Sequence, residues 1–195
     1  MSVATGGGGA EPVWSRRLRL HMIDREHIDG RIGEAWSGDV PNGSHINLVL
    51  AWRGSSTAAV AVSALANPRA GHAPVVVCLG AGNAVRPVTI MTNKATAIED
   101  LHQRITWGAA QLGIGQGVMD AVADGALPAE QAGDLVLLVA AWVDPDATDE
   151  TACRKAARDA TRRAVDDALA GAPADAVRLI GKLRDDVRNV FYGGE

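Results

Sequence analysis

Two short stretches carry residues that could do chemistry. His45 and Asn47 stand two apart in Asn-Gly-Ser-His-Ile-Asn-Leu-Val-Leu, residues 42–50, and Lys94 and Thr96 stand two apart in Val-Thr-Ile-Met-Thr-Asn-Lys-Ala-Thr, residues 88–96. An imidazole trades protons near neutral pH. An amide or hydroxyl orients a ligand by hydrogen bonds. Lysine supplies a compact ammonium whose pKa moves when water is removed. Lys94 is one of three lysines, with Lys155 and Lys182, in a chain that otherwise uses arginine. Read singly, His45 is better taken as a hydrogen-bonded strand histidine and Lys94 as a solvated strand end. Two polar pairs at one spacing raise the reading of a shared site.

The elements that must position them follow from periodicity. Asn42-Gly43 is a turn signal running into branched apolar residues. In an extended strand His45, Asn47 and Val49 share one face, and Ile46, Leu48, Leu50 and Trp52 share the other, wholly apolar one. The spacing predicts a short strand over Arg31–Trp36, a helix capped by Ser55 or Ser56 and stopped by Asn67-Pro68, and a buried strand over Pro74–Leu79. The Val88–Thr96 strand, with Lys94 and Thr96 on one face, leads to a helical region over Ala97–Asp124. There Ala109, Gly113, Gly117 and Ala121 recur every four residues as a small-residue ridge that permits close approach. Leu135–Val143 reads as the middle of the sheet, and the acidic turn Asp144–Glu150 feeds negative charge into a helix running to about Leu169. Ala176, Ile180, Leu183, Val187 and Val190 form a narrow helical seam in the tail. The pattern is that of one compact sheet-and-helix domain over residues 31–171, between a flexible N-terminal arm (1–30) and a C-terminal helical tail (172–195).

Composition narrows the class of function. A chain of 195 residues with 47% hydrophobic content supports a packed core. A net charge of -4 gives no basic footprint for nucleic acid or an anionic membrane. Cys78 and Cys153 have no paired spacing for zinc or a disulfide framework. No apolar run reaches transmembrane length and no secretory h-region opens the sequence, so a reduced, cytoplasmic protein is expected. There is no P-loop, dinucleotide fingerprint or nucleophile elbow.

The combination of motifs resembles the formaldehyde-activating enzyme family. The landmarks are Gly33-Glu34-Ala35, His45-Ile46, Arg53-Gly54-Ser55, Asn93-Lys94-Ala95-Thr96, Ala110-Gln111, residues 120–125 (Asp-Ala-Val-Ala-Asp-Gly) and Asp134-Leu135. The resemblance covers about 140 residues, from Gly33 to about Gly171. It implies an α+β fold like the second domain of ribosomal protein S5, assembled as a homopentamer with sites near subunit boundaries. It implies condensation of formaldehyde with tetrahydromethanopterin, the one-carbon acceptor, to the methylene derivative with loss of water, a hydro-lyase reaction that needs no metal. It further implies that His45 is the proton donor and that Asn47, Val76, Lys94, Thr96 and Gln111 bind the pterin. Three positions depart from the family: Asn47 stands where it has Asp, Val76 where it has Leu, and Leu112 where it has His. Asparagine keeps the shape of aspartate without its charge.

Two other readings compete with this one. A homologue without the carboxylate at position 47 could bind a one-carbon carrier or sense aldehyde without turnover. Alternatively Lys94 could form a Schiff base with an aldehyde of another pathway, or the aldehyde–amine condensation could serve a different acceptor.

Overall fold

A computed structural model of the chain describes residues 22–80 and 82–171. The stretch expected as a flexible arm lies largely outside the described residues, as does the tail seam from Ala176 to Val190. Residues 22–30 are described, and they are tied to the domain. Helix α1 (Arg25–Ile28) is capped by the Asp24 carboxylate and buries Ile28. The Asp29 carboxylate after it accepts from the backbone N–H of Trp52 and from the Ser55 hydroxyl.

Five strands form one mixed sheet: β1 (Arg31–Ser37), β2 (Ser44–Trp52), β3 (Val75–Val76), β4 (Val88–Asn93) and β5 (Leu135–Val143). Their order is β1-β2-β5-β4-β3. Strand β5, the apolar run expected in the middle, is the central strand. It pairs antiparallel with β2 and parallel with β4, while β1 and β3 add antiparallel edges. The architecture is mixed α and β, as expected.

One face of the sheet is covered by helices. Ile46, Leu48 and Leu50 of β2, with Leu137, Val139 and Ala141 of β5, meet Ile114 and Val118 of α4 (Gln111–Ala123) and Ala157, Ala160 and Ala164 of α5 (Glu150–Ala170). Helix α4 continues from α3 (Asp100–Arg104) through a π-helical turn over Ile105–Ala110. The small-residue ridge explains how α4 and α5 meet. A Cβ on Gly117 would lie 2.5 Å from the carbonyl oxygen of Arg158, and one on Gly113 would collide with that of Arg154. At that separation Arg154 reaches Gln116, Arg158 reaches Asp120 and Arg162 reaches Asp124, giving three rungs between the helices. Asp149 caps α5 by accepting from the N–H groups of Thr151 and Ala152.

On the other face the described residues supply one α-helix. Helix α2 (Ser56–Ser63), capped by Ser55, lays Ala58 and Ala61 on Ala51, Ile90 and Val136. Among the described residues no second α-helix packs on that face.

Two expectations need correction. Pro74–Leu79 is not a continuous buried strand. Only Val75 and Val76 join the regular ladder, opposite Met91 and Ile90 on the sheet edge. Beyond them Val77 and Leu79 pair with Val85 and Asn83 across a glycine-containing turn, so the run forms an irregular edge hairpin. The strand expected to reach Thr96 ends at Asn93, because the chain leaves the sheet to begin the crossover toward α3.

Candidate active site

The register brings the polar pairs together. Asn47 and Ala140 are directly opposed on β2 and β5, and Ala140 is opposed in turn by Thr92 of β4. Small Ala140 leaves room above the sheet. Lys94, two residues past Thr92, keeps the ladder by donating its backbone N–H to Ala141, so its side chain emerges on the same face as His45 and Asn47. Its Nζ lies 2.8 Å from His45 Nδ1 and 2.8 Å from Asn47 Oδ1.

Strand β1 completes the group. Glu34 is opposite Asn47 and diagonal to His45, and its Oε1 lies 2.7 Å from His45 Nε2. Trp36 is opposite His45, which is opposite Trp142, so three rings cross adjacent strands in a row. The Trp36 ring centroid is 6.3 Å from that of His45 and 5.5 Å from that of Trp142. This apolar wall removes water from one side of the imidazole. The His45 side chain retains 18% of its exposure, enough for a small reactant to reach the group.

Lys94 is half-buried and its two polar neighbours carry no formal charge in their neutral forms. Burial pulls its pKa from the usual 10.5 to about 8, with the charge of Glu34 opposing the shift. An ammonium and an imidazole joined in this way can also pass a proton between them.

Residues 32–189 match the profile of the formaldehyde-activating enzyme (Fae) family. The chain belongs to that family. It is 37% identical over 146 residues to the 5,6,7,8-tetrahydromethanopterin hydro-lyase of Methanosarcina barkeri, an alignment that takes in 75% of this chain and 82% of the relative. It is 30% identical over 142 residues to the bifunctional enzyme Fae/Hps of Methanothrix thermoacetophila, covering 73% of this chain and 36% of that one. The bifunctional enzyme Fae/Hps of Archaeoglobus fulgidus is 31% identical over 121 residues, 62% of this chain and 30% of the relative. The chain therefore spans about a third of these two bifunctional proteins.

In this formaldehyde-activating enzyme homologue the remaining expected residues fall in separate places. Thr96 is turned away from the trio toward the loop at residues 69–73. There its Oγ1 lies 3.0 Å from His72 Nε2, while His72 Nδ1 donates to the carbonyl of Asn93 at 3.1 Å. In the neutral ring Nε2 is then the acceptor, so the Thr96 hydroxyl donates to it and keeps its lone pairs for a ligand. Val76 faces the same side of the sheet as Ile90, with two strands, β5 and β4, between it and the strand of His45. Gln111 heads α4, on the helix-covered side away from His45. A cavity of about 510 Å³ lined by Arg53, Ser55, Ala58, Val88 and Leu135 lies at the opposite end of the sheet and includes none of the expected residues.

Sequence reasoning missed Trp36, Trp142 and His72, and counted Glu34 only as a landmark. Alternation within β1 pairs Glu34 with Trp36, but which β2 residues they oppose depends on register. Among the described residues no group of three or more His, Cys, Asp or Glu side chains could hold a metal ion, and no helix is long and apolar enough to cross a membrane.

Proposed function

We propose that this protein condenses formaldehyde with tetrahydromethanopterin, forming the methylene derivative and water, as a hydro-lyase. The observation that carries the reading is the hydrogen-bonded His45–Lys94–Asn47 group on the sheet face opposite α4 and α5, in a chain 37% identical to a protein named for that activity.

Formaldehyde reacts with amines unaided, so the protein's work is positioning and proton delivery. A reduced-pterin nitrogen adds to the aldehyde to give a carbinolamine, whose hydroxyl is a poor leaving group. His45 is the general acid that protonates it and releases water, and the second pterin nitrogen closes onto the iminium. Acid assistance of this kind is worth roughly 10²–10⁴-fold, and orientation contributes further. None of these steps calls for a metal. Both ring nitrogens of His45 are engaged, by Lys94 and Glu34, so the proton is held by a pair rather than by the imidazole alone. Asn47 orients Lys94, and Thr96, Val76 and Gln111 contact the pterin and its linker.

The pterin contacts would draw on two subunits. Gln111 and His45 lie on opposite sides of one sheet, which favours a site at the boundary between copies of the chain. A homopentamer with an S5-like subunit fold fits the family membership. A cytoplasmic location fits soluble substrates of this kind.

Turnover of purified tetrahydromethanopterin and formaldehyde by the wild type is the direct test. His45→Ala should lower kcat by about 10²–10⁴-fold while the fold persists by circular dichroism. An unchanged rate would make His45 structural. Wild-type protein that binds the pterin without turning it over would support a carrier-binding role instead.

A further inference from the structure

We propose that Lys94 is a covalent carrier: its amine captures formaldehyde as an iminium and hands the carbon to the acceptor nitrogen, with His45 shuttling the protons. This keeps the proposed overall reaction, replaces direct addition of the pterin nitrogen to formaldehyde with transfer through Lys94, and rests on that reading only for the identity of the acceptor.

The geometry around Nζ carries the proposal. Among the described residues Nζ has two hydrogen-bond partners, His45 Nδ1 and Asn47 Oδ1, each at 2.8 Å. An amide oxygen can only accept, and Nδ1 accepts whenever the ring is neutral with its hydrogen on Nε2. Glu34 Oε1, 2.7 Å from Nε2, accepts that hydrogen and so favours this tautomer. Two acceptors hold the two hydrogens of a neutral amine. The remaining tetrahedral corner is the lone pair, and the nucleophile is oriented before the aldehyde arrives. A carboxylate at position 47 would hold the ammonium form, whereas Asn47 accepts from the amine without adding a charge. Burial supports the same state: with a pKa of about 8, Lys94 at neutral pH is a free amine on the order of a hundred times more often than an ordinary lysine.

The steps balance without any further reactant. The Nζ lone pair forms the C–N bond as the carbonyl π pair moves to oxygen. One N–H proton passes to His45 Nδ1, already in hydrogen-bond contact, and on to the oxygen, giving a carbinolamine. The C–O bond then breaks as one solvent proton is taken up, releasing water and leaving an iminium on Nζ. The acceptor amine adds to the iminium carbon and loses a proton, forming an N–CH2–N bridge. Protonation of Nζ and cleavage of its bond to carbon restore Lys94, and the acceptor's second nitrogen closes the ring with loss of a proton.

The test uses the full chain with substoichiometric ¹³C-formaldehyde and cyanoborohydride, which reduces an iminium to a methylated amine, followed by peptide mass spectrometry. Exposed Lys155 is the internal reference. The expected result is labelling of Lys94 at least about ten-fold above Lys155, reduced when tetrahydromethanopterin is present to draw off the carbon. Equal labelling of the two overturns the proposal. Lys94→Arg keeps a hydrogen-bonding cation but forms no iminium, so kcat should fall about 100-fold or more with KM for the pterin little changed. A variant that changes only KM makes Lys94 a binding residue and overturns the carrier role. Wild-type turnover without Lys94 labelling sinks the carrier and spares the proposed reaction. Selective labelling without pterin turnover sinks the proposed acceptor and spares the carrier.

Discussion

At the scale of single residues, burial favours the neutral form of Lys94, and a charge placed at position 47 would oppose it. Asn47→Asp would set a carboxylate where Oδ1 now lies 2.8 Å from Nζ, a charge-assisted bond that favours the ammonium. Reductive labelling of Lys94 at pH 7.5 should then fall about ten-fold, and its pH midpoint should move up by about one unit. Labelling that is unchanged in Asn47→Asp would mean the amide does not govern the amine. The same group has a stability signature. Lys94 titrates near 8 in the folded chain against 10.5 ordinarily, so between those values the unfolded chain binds more protons and stability rises with pH. Below about pH 8 both states hold the proton and the cost of burying the ammonium is fully present. Urea midpoints of wild type and Lys94→Met, compared at pH 7.5 and 10, should show the wild type gaining relative to the variant at high pH. A constant difference would place Lys94 in ordinary solvent. The His45/Asn47 pairing was legible because alternation is a property of one strand. Glu34, Trp36 and His72 were not, because their neighbours come from registers and loops that a single sequence leaves open.

At the scale of elements, the close approach of α4 and α5 sets where the crossover sits and hence where the chain enters β5. Gly117→Val would drive a Cβ bearing two methyl groups toward the Arg158 carbonyl, whose oxygen lies 2.5 Å from where that Cβ would stand. The helices must separate, breaking the Arg158–Asp120 and Arg162–Asp124 rungs, and the expected cost is about 2–3 kcal/mol by urea denaturation. Gly133→Ala, with nothing within 4 Å of its Cβ, is the control. A cost no larger for Gly117→Val than for this control would mean that the ridge is incidental. The ridge could be read from sequence because four-residue spacing has one meaning on a helix. Pro74–Leu79 misled for the converse reason: a branched apolar run fits a central strand and an edge hairpin alike. What separates them is Gly80 and Gly82, both at positive φ, beside which Leu79 pairs with Asn83 and Val77 with Val85. Thr96 was misassigned as a strand neighbour of Lys94 because the sheet ends at Asn93, where the Asn93 side chain ties the departing chain to Gly71 and Ala95.

At the scale of the whole molecule, the sheet of one chain separates the His45–Asn47–Lys94 trio from Gln111. His45, Asn47 and Lys94 lie on the sheet face that also carries α2, and Gln111 lies across the sheet from them. If each site takes its trio from one copy and Gln111 from its neighbour, variants broken at either place should repair each other. His45→Ala and Gln111→Ala, each weakly active alone, would be unfolded, mixed in equal amounts and refolded together. Random assembly puts an intact pair of residues at about one site in four, so activity should recover to about a quarter of wild type. Native mass spectrometry of the same sample should give about 100 kDa if five chains of 20.2 kDa assemble. Mixed oligomers of that mass without recovered activity would show that Gln111 and His45 do not meet across a boundary. The pterin would then have to be held by one subunit, along the surface that runs from Lys94 past Thr96 to the His72 loop.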